Sequence, residues 1–213
     1  MSSTLQETIA DTLNKAHPGC NAKANIASVG DSSVTVDAKY ILEIARTVKN
    51  CSTHEMNVLQ VITATDYPAT SEIELTYVLA SFTKNLELLL KTRLPRGDKN
   101  NLPTINSVTS VWSAANYQER EAFDMCGIKF VGHPDHRRIL CPDDWNGYPL
   151  RKDYVVDEVY NGMVVNPPAK NNTADQMFGK NLKAQLGNPK LVSASWKDSG
   201  DDASEVTDAK DGE

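Results

Sequence analysis

The 213-residue chain contains no apolar run approaching the about eighteen residues that suggest a membrane-spanning helix. Its opening residues, MSSTLQETIADTLNK, lack both the basic start and the continuous apolar stretch of a secretory leader. Cysteine is scarce and scattered, at Cys20, Cys51, Cys126 and Cys141. That spacing argues against a disulfide framework and for reduced thiols in a cytosol-like compartment. Closely spaced cysteine groups of the C-x2-C-x2-C type are missing, which speaks against an iron–sulfur cluster in this chain. Glycine-rich phosphate cradles, a Walker sequence and a nucleophile elbow are missing too, so nucleotide binding and serine chemistry lack their motifs.

Charge of one sign is also absent from most of the sequence. The net charge is −6, but Lys197 to Glu213 alone carries −5, leaving the rest close to neutral. With no basic stripe, nucleic-acid binding has little electrostatic support. The apolar fraction of 40% and charged fraction of 23% are those of an ordinary globular protein.

What is present reads as alternating local patterns. Leu5, Ile9, Leu13 and Ala16 share one face of a helix over residues 3–16, ended by His17-Pro18-Gly19. Ala24–Val29 and Val34–Val36 flank Gly30-Asp31 as a hairpin. Asp37 caps a second helix with Ile41, Leu42, Ala45 and Val48 facing inward. Residues 56–64, 72–80 and 85–94 are strands; Ile73, Leu75, Tyr77 and Leu79 show the period of two that one covered face requires. They form a three-stranded meander. Val108, Val111, Trp112 and Ala115 give a helical pattern from Ser107, and a further turn or helix from Asn116 holds Glu119 to Met125. The expected fold is α+β: a two-layer sandwich with a mainly antiparallel sheet, spanning residues 1–150. An extended partner-binding arm follows at 151–170, then an acidic tail without packed structure at 171–213.

The densest chemistry lies between Tyr117 and Asp153, where ionisable groups alternate with Phe123, Met125, Ile128, Phe130, Ile139, Leu140, Trp145 and Leu150. A segment both this charged and this apolar satisfies buried charge only by pairing it, within the segment or with a partner. Arg120 and Asp124, four apart on a helix, face each other as an ion pair; Glu121 and Asp124, three apart, project toward a basic partner. Gly147-Tyr148-Pro149-Leu150 forms a preset loop that presents Arg151 and Lys152. Trp112, Trp145 and Trp196 read as packing or interface anchors. Cys126, His133, His136 and Cys141 fall within sixteen residues and are all zinc-ligand types. Structural zinc sites pair their cysteines closely, and these stand alone. The simpler reading is two buried thiols and two hydrogen-bonding imidazoles, with a zinc-binding module as the remote alternative.

Glu119-Arg120-Glu121, Phe123-Asp124-Met125, Gly127-Ile128, His133-Pro134-Asp135, Arg137-Arg138-Ile139-Leu140 and Gly147-Tyr148-Pro149-Leu150-Arg151-Lys152-Asp153 together resemble the signature of the 30 kDa (C) subunit family of respiratory complex I. The likeness runs over about residues 55–160, through Ile105–Asn116 and weakly through Ala64–Pro68, with its core at 55–150. Cys126 and His136 depart from the aromatic and leucine-like residues usual in that family.

The resemblance implies a non-catalytic peripheral-arm subunit of a proton-translocating NADH:quinone oxidoreductase. It would brace the 49 kDa-type large, quinone-site subunit and the cluster-bearing small subunit. It implies no cofactor in this chain; FMN, iron–sulfur clusters and quinone belong to partners. The isolated chain would have no activity. It would reach the membrane only through partner subunits, at the cytoplasmic face of a bacterial inner membrane or its mitochondrial matrix equivalent. Glu119, Arg120, Glu121, Asp124, His133, Arg137, Arg138, Arg151, Lys152 and Asp153 would form the partner interface. On this reading Asp124→Ala or Arg138→Ala weakens assembly and leaves the domain folded. Same-family subunits also serve membrane-bound hydrogenases and complexes with other donors, which keeps those as alternatives.

Overall fold

The computed structural model describes residues 4–98, 101–157 and 159–164. Helix α1, Leu5–Ala16, opens on a capping box in which the Thr4 side chain accepts from the Glu7 amide and Glu7 accepts from the Thr4 amide. It buries Ile9, Ala10 and Leu13. Strands β1 (Lys23–Asn25) and β2 (Ser33–Asp37) pair antiparallel, as the hairpin reading requires. Asp37 then accepts from the Lys39 amide and starts a short 3-10 turn, Ala38–Tyr40. That turn runs into α2, Ile41–Asn50, whose Ile41, Ile44, Ala45 and Val48 are buried.

Strands β3 (Val58–Tyr67), β4 (Glu72–Ser81) and β5 (Leu86–Pro95) form the meander. The five strands make one sheet in the order β1-β2-β5-β4-β3, antiparallel except where β2 runs parallel to β5. Register places Val34, Leu90, Tyr77 and Ile62 in one row, and α1 and α2 bury their apolar faces in the same core. The opposite face carries Glu72, Glu74, Lys91 and Arg93, joined as ion pairs. This is the expected α+β fold with a mainly antiparallel sheet, mixed only through the β2–β5 pairing.

Strands β6 (Thr104–Asn106) and β7 (Lys129–Val131) form a separate parallel pair, and helix α3, Ala115–Cys126, lies between them in sequence. Helix α3 packs against β3, the edge of the large sheet. Gln118 Nε2 donates to the Gln60 carbonyl at 3.0 Å and so satisfies an edge carbonyl. The Trp112 indole donates to the Met56 carbonyl just before the strand.

One expectation needs correction. The helical pattern at Ser107–Ala114 is a run of turns, and helix begins only at Ala115. Its apolar residues are buried because Val108 and Trp112 are tied down by hydrogen bonds, not because they share a helix face. The parallel β2–β5 pairing joins the expected hairpin and the expected meander into one sheet. The compact unit runs through Asp157, with Arg151 buried inside it. Beyond it, β8 (Val159–Tyr160) and β9 (Met163–Val164) form a small hairpin through Asn161 and Gly162, both at positive φ. The tail at 171–213 and Trp196 lie outside the described residues.

Candidate partner-binding face

The Asp124 carboxylate, at the last turn of α3, is fully buried. One oxygen accepts from three successive backbone amides, Ile139, Leu140 and Cys141, at 3.1, 2.7 and 2.8 Å. The other accepts from Arg138 Nη1 at 2.6 Å. These donors overcome the burial penalty and hold its pKa below the usual carboxylate range. Arg138 also donates to the Gly147 carbonyl at 2.9 Å, which ties the 138–141 segment to the 147–150 loop.

That loop is clamped again from below. Arg151 is 7% exposed and donates to the carbonyls of Cys126, Gly97, Arg96 and Gly127. The Tyr148 ring has Arg138 and Arg151 guanidinium carbons each 5.3 Å from its centre. It lies against Gly127, which ends α3 at φ 70°. A Cβ there would sit 2.7 Å from the ring, so glycine answers two demands at this position. Leu150 N–H donates to the Met125 carbonyl at 2.9 Å and completes the tie to α3.

Arg120 reaches the same segment from the side. Its Nε and Nη2 donate to the carbonyls of Arg137 and Arg138, and its Nη1 lies 3.3 Å from Asp135. A second cluster fixes the far end. Arg96 grips buried Asp66 in a bidentate pair at 2.6 and 2.8 Å and also holds Asp153. Asp66 accepts in addition from the Lys152 amide, and Arg96 keeps its pKa low despite burial.

Glu119 differs from these carboxylates. It is fully buried, accepting from Ser107 Oγ at 2.6 Å and the Val108 amide at 2.7 Å. Burial outweighs those bonds and pushes its pKa up to about 7. The four-residue zinc constellation does not converge. The Asp135 amide donates to His133 Nδ1, and the Phe130 amide donates to His136 Nε2, so both rings commit a lone pair to the backbone. His133 Nε2 then donates to the Asn116 carbonyl. Burial raises the Cys126 thiol to about 11, which disfavours the thiolate a metal needs. Among the described residues, no group of three or more His, Cys, Asp or Glu is arranged to hold a metal.

Residue spacing brings the right segment together but misassigns its bonds. Arg120 and Asp124 do not pair with each other; each turns to the 135–141 segment instead. Asp124 does not project toward a partner, and Arg151 is not presented at a loop end, because both are buried and bonded within the chain. Glu119, Arg120 and Arg138 likewise have partners within the chain. Glu121, Arg137, Lys152 and Asp153 remain exposed, with Arg137 against Asp135 and Asp153 against Arg96. Ser107 and Tyr148 stand out in the sequence only as a helix start and a loop residue, while Asp66 and Arg96 join the site without standing out there. Their signal is thin: Asp66 lies at a strand end, and Arg96 sits where Leu94-Pro95-Arg96-Gly97 breaks one.

Fold and face together define an α+β domain with a cross-braced platform of irregular loops. The family model for the "Respiratory-chain NADH dehydrogenase, 30 Kd subunit" matches residues 34–160, and the chain belongs to that family. The C subunit of the NADH-quinone oxidoreductase of Moorella thermoacetica is 51% identical over 98 residues, covering 46% of this chain and 64% of that protein. The matched stretch therefore spans just under two thirds of that relative. The corresponding protein of Acidothermus cellulolyticus is 35% identical over 169 residues, covering 76% of this chain and 86% of its own. A chain from the solved archaeal membrane-bound sulfane sulfur reductase, a respiratory membrane complex, superposes with a TM-score of 0.59 at 27% identity, covering 70% of this chain and 85% of that one.

Proposed function

We propose that this chain is a non-catalytic peripheral-arm subunit of a proton-translocating NADH:quinone oxidoreductase. It braces the large quinone-site subunit and the cluster-bearing small subunit, and the isolated chain turns over no substrate. FMN, iron–sulfur clusters and quinone are held by the partners. The observation that carries this reading is the family match over residues 34–160, together with relatives named as the C subunit of NADH-quinone oxidoreductase. The platform supports it physically: buried Asp124 and Arg151 and half-buried Arg138 are bonded inside the chain, which stiffens a loop surface suited to docking. No helix among the described residues is long and apolar enough to cross a membrane; on this proposal the chain sits at the cytoplasmic face of a bacterial inner membrane, or its mitochondrial matrix equivalent, held there by partner subunits.

A second reading keeps the architecture and changes the donor. The likeness to a chain of the sulfane sulfur reductase favours it, since that respiratory membrane complex is defined by a different reaction. Purification of the full chain by an affinity tag from its native membranes, followed by mass spectrometry, separates the two. Recovery of a flavin-bearing NADH-oxidising subunit with NADH:quinone activity supports the first reading. Recovery of an oxidoreductase lacking NADH oxidation supports the second, and recovery of no redox subunit overturns both.

A further inference from the structure

A sheet edge presents unpaired N–H and C=O groups, and two edges near α3 are closed by side chains. Gln118 bonds the edge of β3, and the Phe130 amide on the outer edge of β7 donates to His136 Nε2 at 3.1 Å. Strand β6 is different. The Pro103 carbonyl accepts from the Lys129 amide and the Ser107 amide donates to the Val131 carbonyl, both at 2.8 Å. In a parallel pair of that register, Ile105 turns its N–H and C=O toward β7, and Thr104 and Asn106 turn theirs to the opposite edge. Those groups of Thr104 and Asn106 find no hydrogen-bond partner among the described residues. Their edge borders a groove of about 320 Å³, with Ala38 and Lys39 of the 3-10 turn on one side and Thr104, Ile105, Asn106 and Val131 on the other. Thr104 is exposed, Asn106 is half-buried and Val131 is 51% exposed.

Donors and acceptors that repeat at every second residue along one line are matched by the backbone of an extended segment. The charge of the groove adds a side-chain requirement. Lys39 is the charged residue among the six that line it. Its Nζ lies 5.7 Å from the Tyr40 ring centre and forms no ion pair among the described residues. On the elements around the groove, exposed Asp37, Glu43 and Asp98 are offset by Arg46, Lys49 and Lys129. Arg93, level with Asp37 across β2 and β5, is bound to Glu72 and Glu74. Lys39 therefore sets the sign, and an acidic side chain answers it. We propose that the open edge of β6 takes up an extended segment of a partner subunit as an added strand, with an acidic residue of that segment facing Lys39. Val131 gives the incoming strand an apolar contact beside the backbone bonds. This deepens the assembly reading above and rests on it.

The test uses the full tagged chain, expressed in cells deleted for the native copy and purified both alone and with its partners from membranes. Hydrogen exchange resolved to single amides should show Thr104 and Asn106 exchanging fast in the free chain and at least about a hundredfold slower in the complex. The Ile105 amide, bonded to β7, should be protected in both. Asn106→Pro removes one outward donor at a position an edge strand tolerates, whereas Asn106→Ala keeps it. Recovery of partner subunits should fall at least about tenfold with proline and stay at the wild-type level with alanine, at unchanged melting temperature. If proline lowers the melting temperature, exchange in the wild-type complex decides. A carbodiimide, which joins an amine to a touching carboxylate, then identifies the occupant. Lys39 linked to an Asp or Glu of another subunit supports the proposal. Lys39 left unlinked, or linked to a second copy or to this chain's own residues 198–213, overturns it. Thr104 and Asn106 amides that exchange equally fast in free chain and complex overturn it too. Failure of wild type itself to recover redox subunits overturns the assembly reading with it.

Discussion

Asp124 and Arg138, fourteen residues apart, meet at 2.6 Å with both side chains nearly sealed from solvent. The same carboxylate gathers the amides of residues 139, 140 and 141, so one side chain at the end of α3 organises the whole returning segment. An ion pair used this way gives little net stability over a well-packed apolar pair, yet removing one member leaves the other charge buried and unmatched. Its contribution is a single loop conformation, and the exposed surface of the platform inherits that.

The consequence for Asp124→Ala differs from the outcome expected on sequence alone. The substitution strands Arg138 and three amides together, so it should destabilise the isolated chain by about 3–5 kcal/mol. Urea denaturation of the purified full chain measures this as a lower midpoint. An unchanged midpoint with assembly lost would mean instead that Asp124 acts at the interface only.

Local pattern carries the regular elements well. Ile73, Leu75, Tyr77 and Leu79 alternate because one face of β4 is buried, and the structure buries all four. The parallel β2–β5 pairing has no such local trace, since strand order depends on tertiary packing. Val108, Val111 and Trp112 keep helical spacing in a stretch of turns, because Glu119 captures the Val108 amide from outside. At the site, composition locates the segment but not the bonding. Residue spacing offers Arg120 to Asp124, whereas chain return brings Arg138 instead. Such returns are set by loop geometry that no short-range period encodes.

Glu119 predicts a pH dependence. Its folded pKa of about 7 lies above the ordinary 4.5 of an unfolded glutamate. The folded chain therefore binds the proton more tightly. Glu119's contribution to stability is full below pH ~4.5, falls as pH rises toward ~7, and is gone above it, a loss on the order of 3 kcal/mol. Glu119→Gln should remove that slope. Denaturation midpoints at pH 5, 6, 7 and 8 decide it: parallel profiles for wild type and variant would eliminate Glu119 as the source.

Gly127→Ala combines a left-handed backbone with a Cβ 2.7 Å from the Tyr148 ring. The expected cost is about 2 kcal/mol or more, from αL strain and ring displacement together. Tyr148→Ala should relieve part of it. A double-mutant cycle showing strict additivity would mean that ring contact is not the cause.

His136 gives the opposite pH sign in the same domain. Its Nε2 accepts from the Phe130 amide at 3.1 Å, and its ring centre lies 4.2 Å from that of Phe123. Burial, aided by neighbouring His133 and Lys129, lowers its pKa below the ordinary 6.5. The folded state thus resists protonation, so stability from this group is full above pH ~6.5 and is lost as pH falls through the lowered value. A proton on Nε2 also removes the acceptor that ties down the outer edge of β7. Hydrogen exchange at the Phe130 amide, corrected for its intrinsic rate, should therefore accelerate in mild acid, and the ring titration followed by NMR should centre below 6.5. Protection at Phe130 that persists after the ring has titrated would show that the imidazole does not hold this edge.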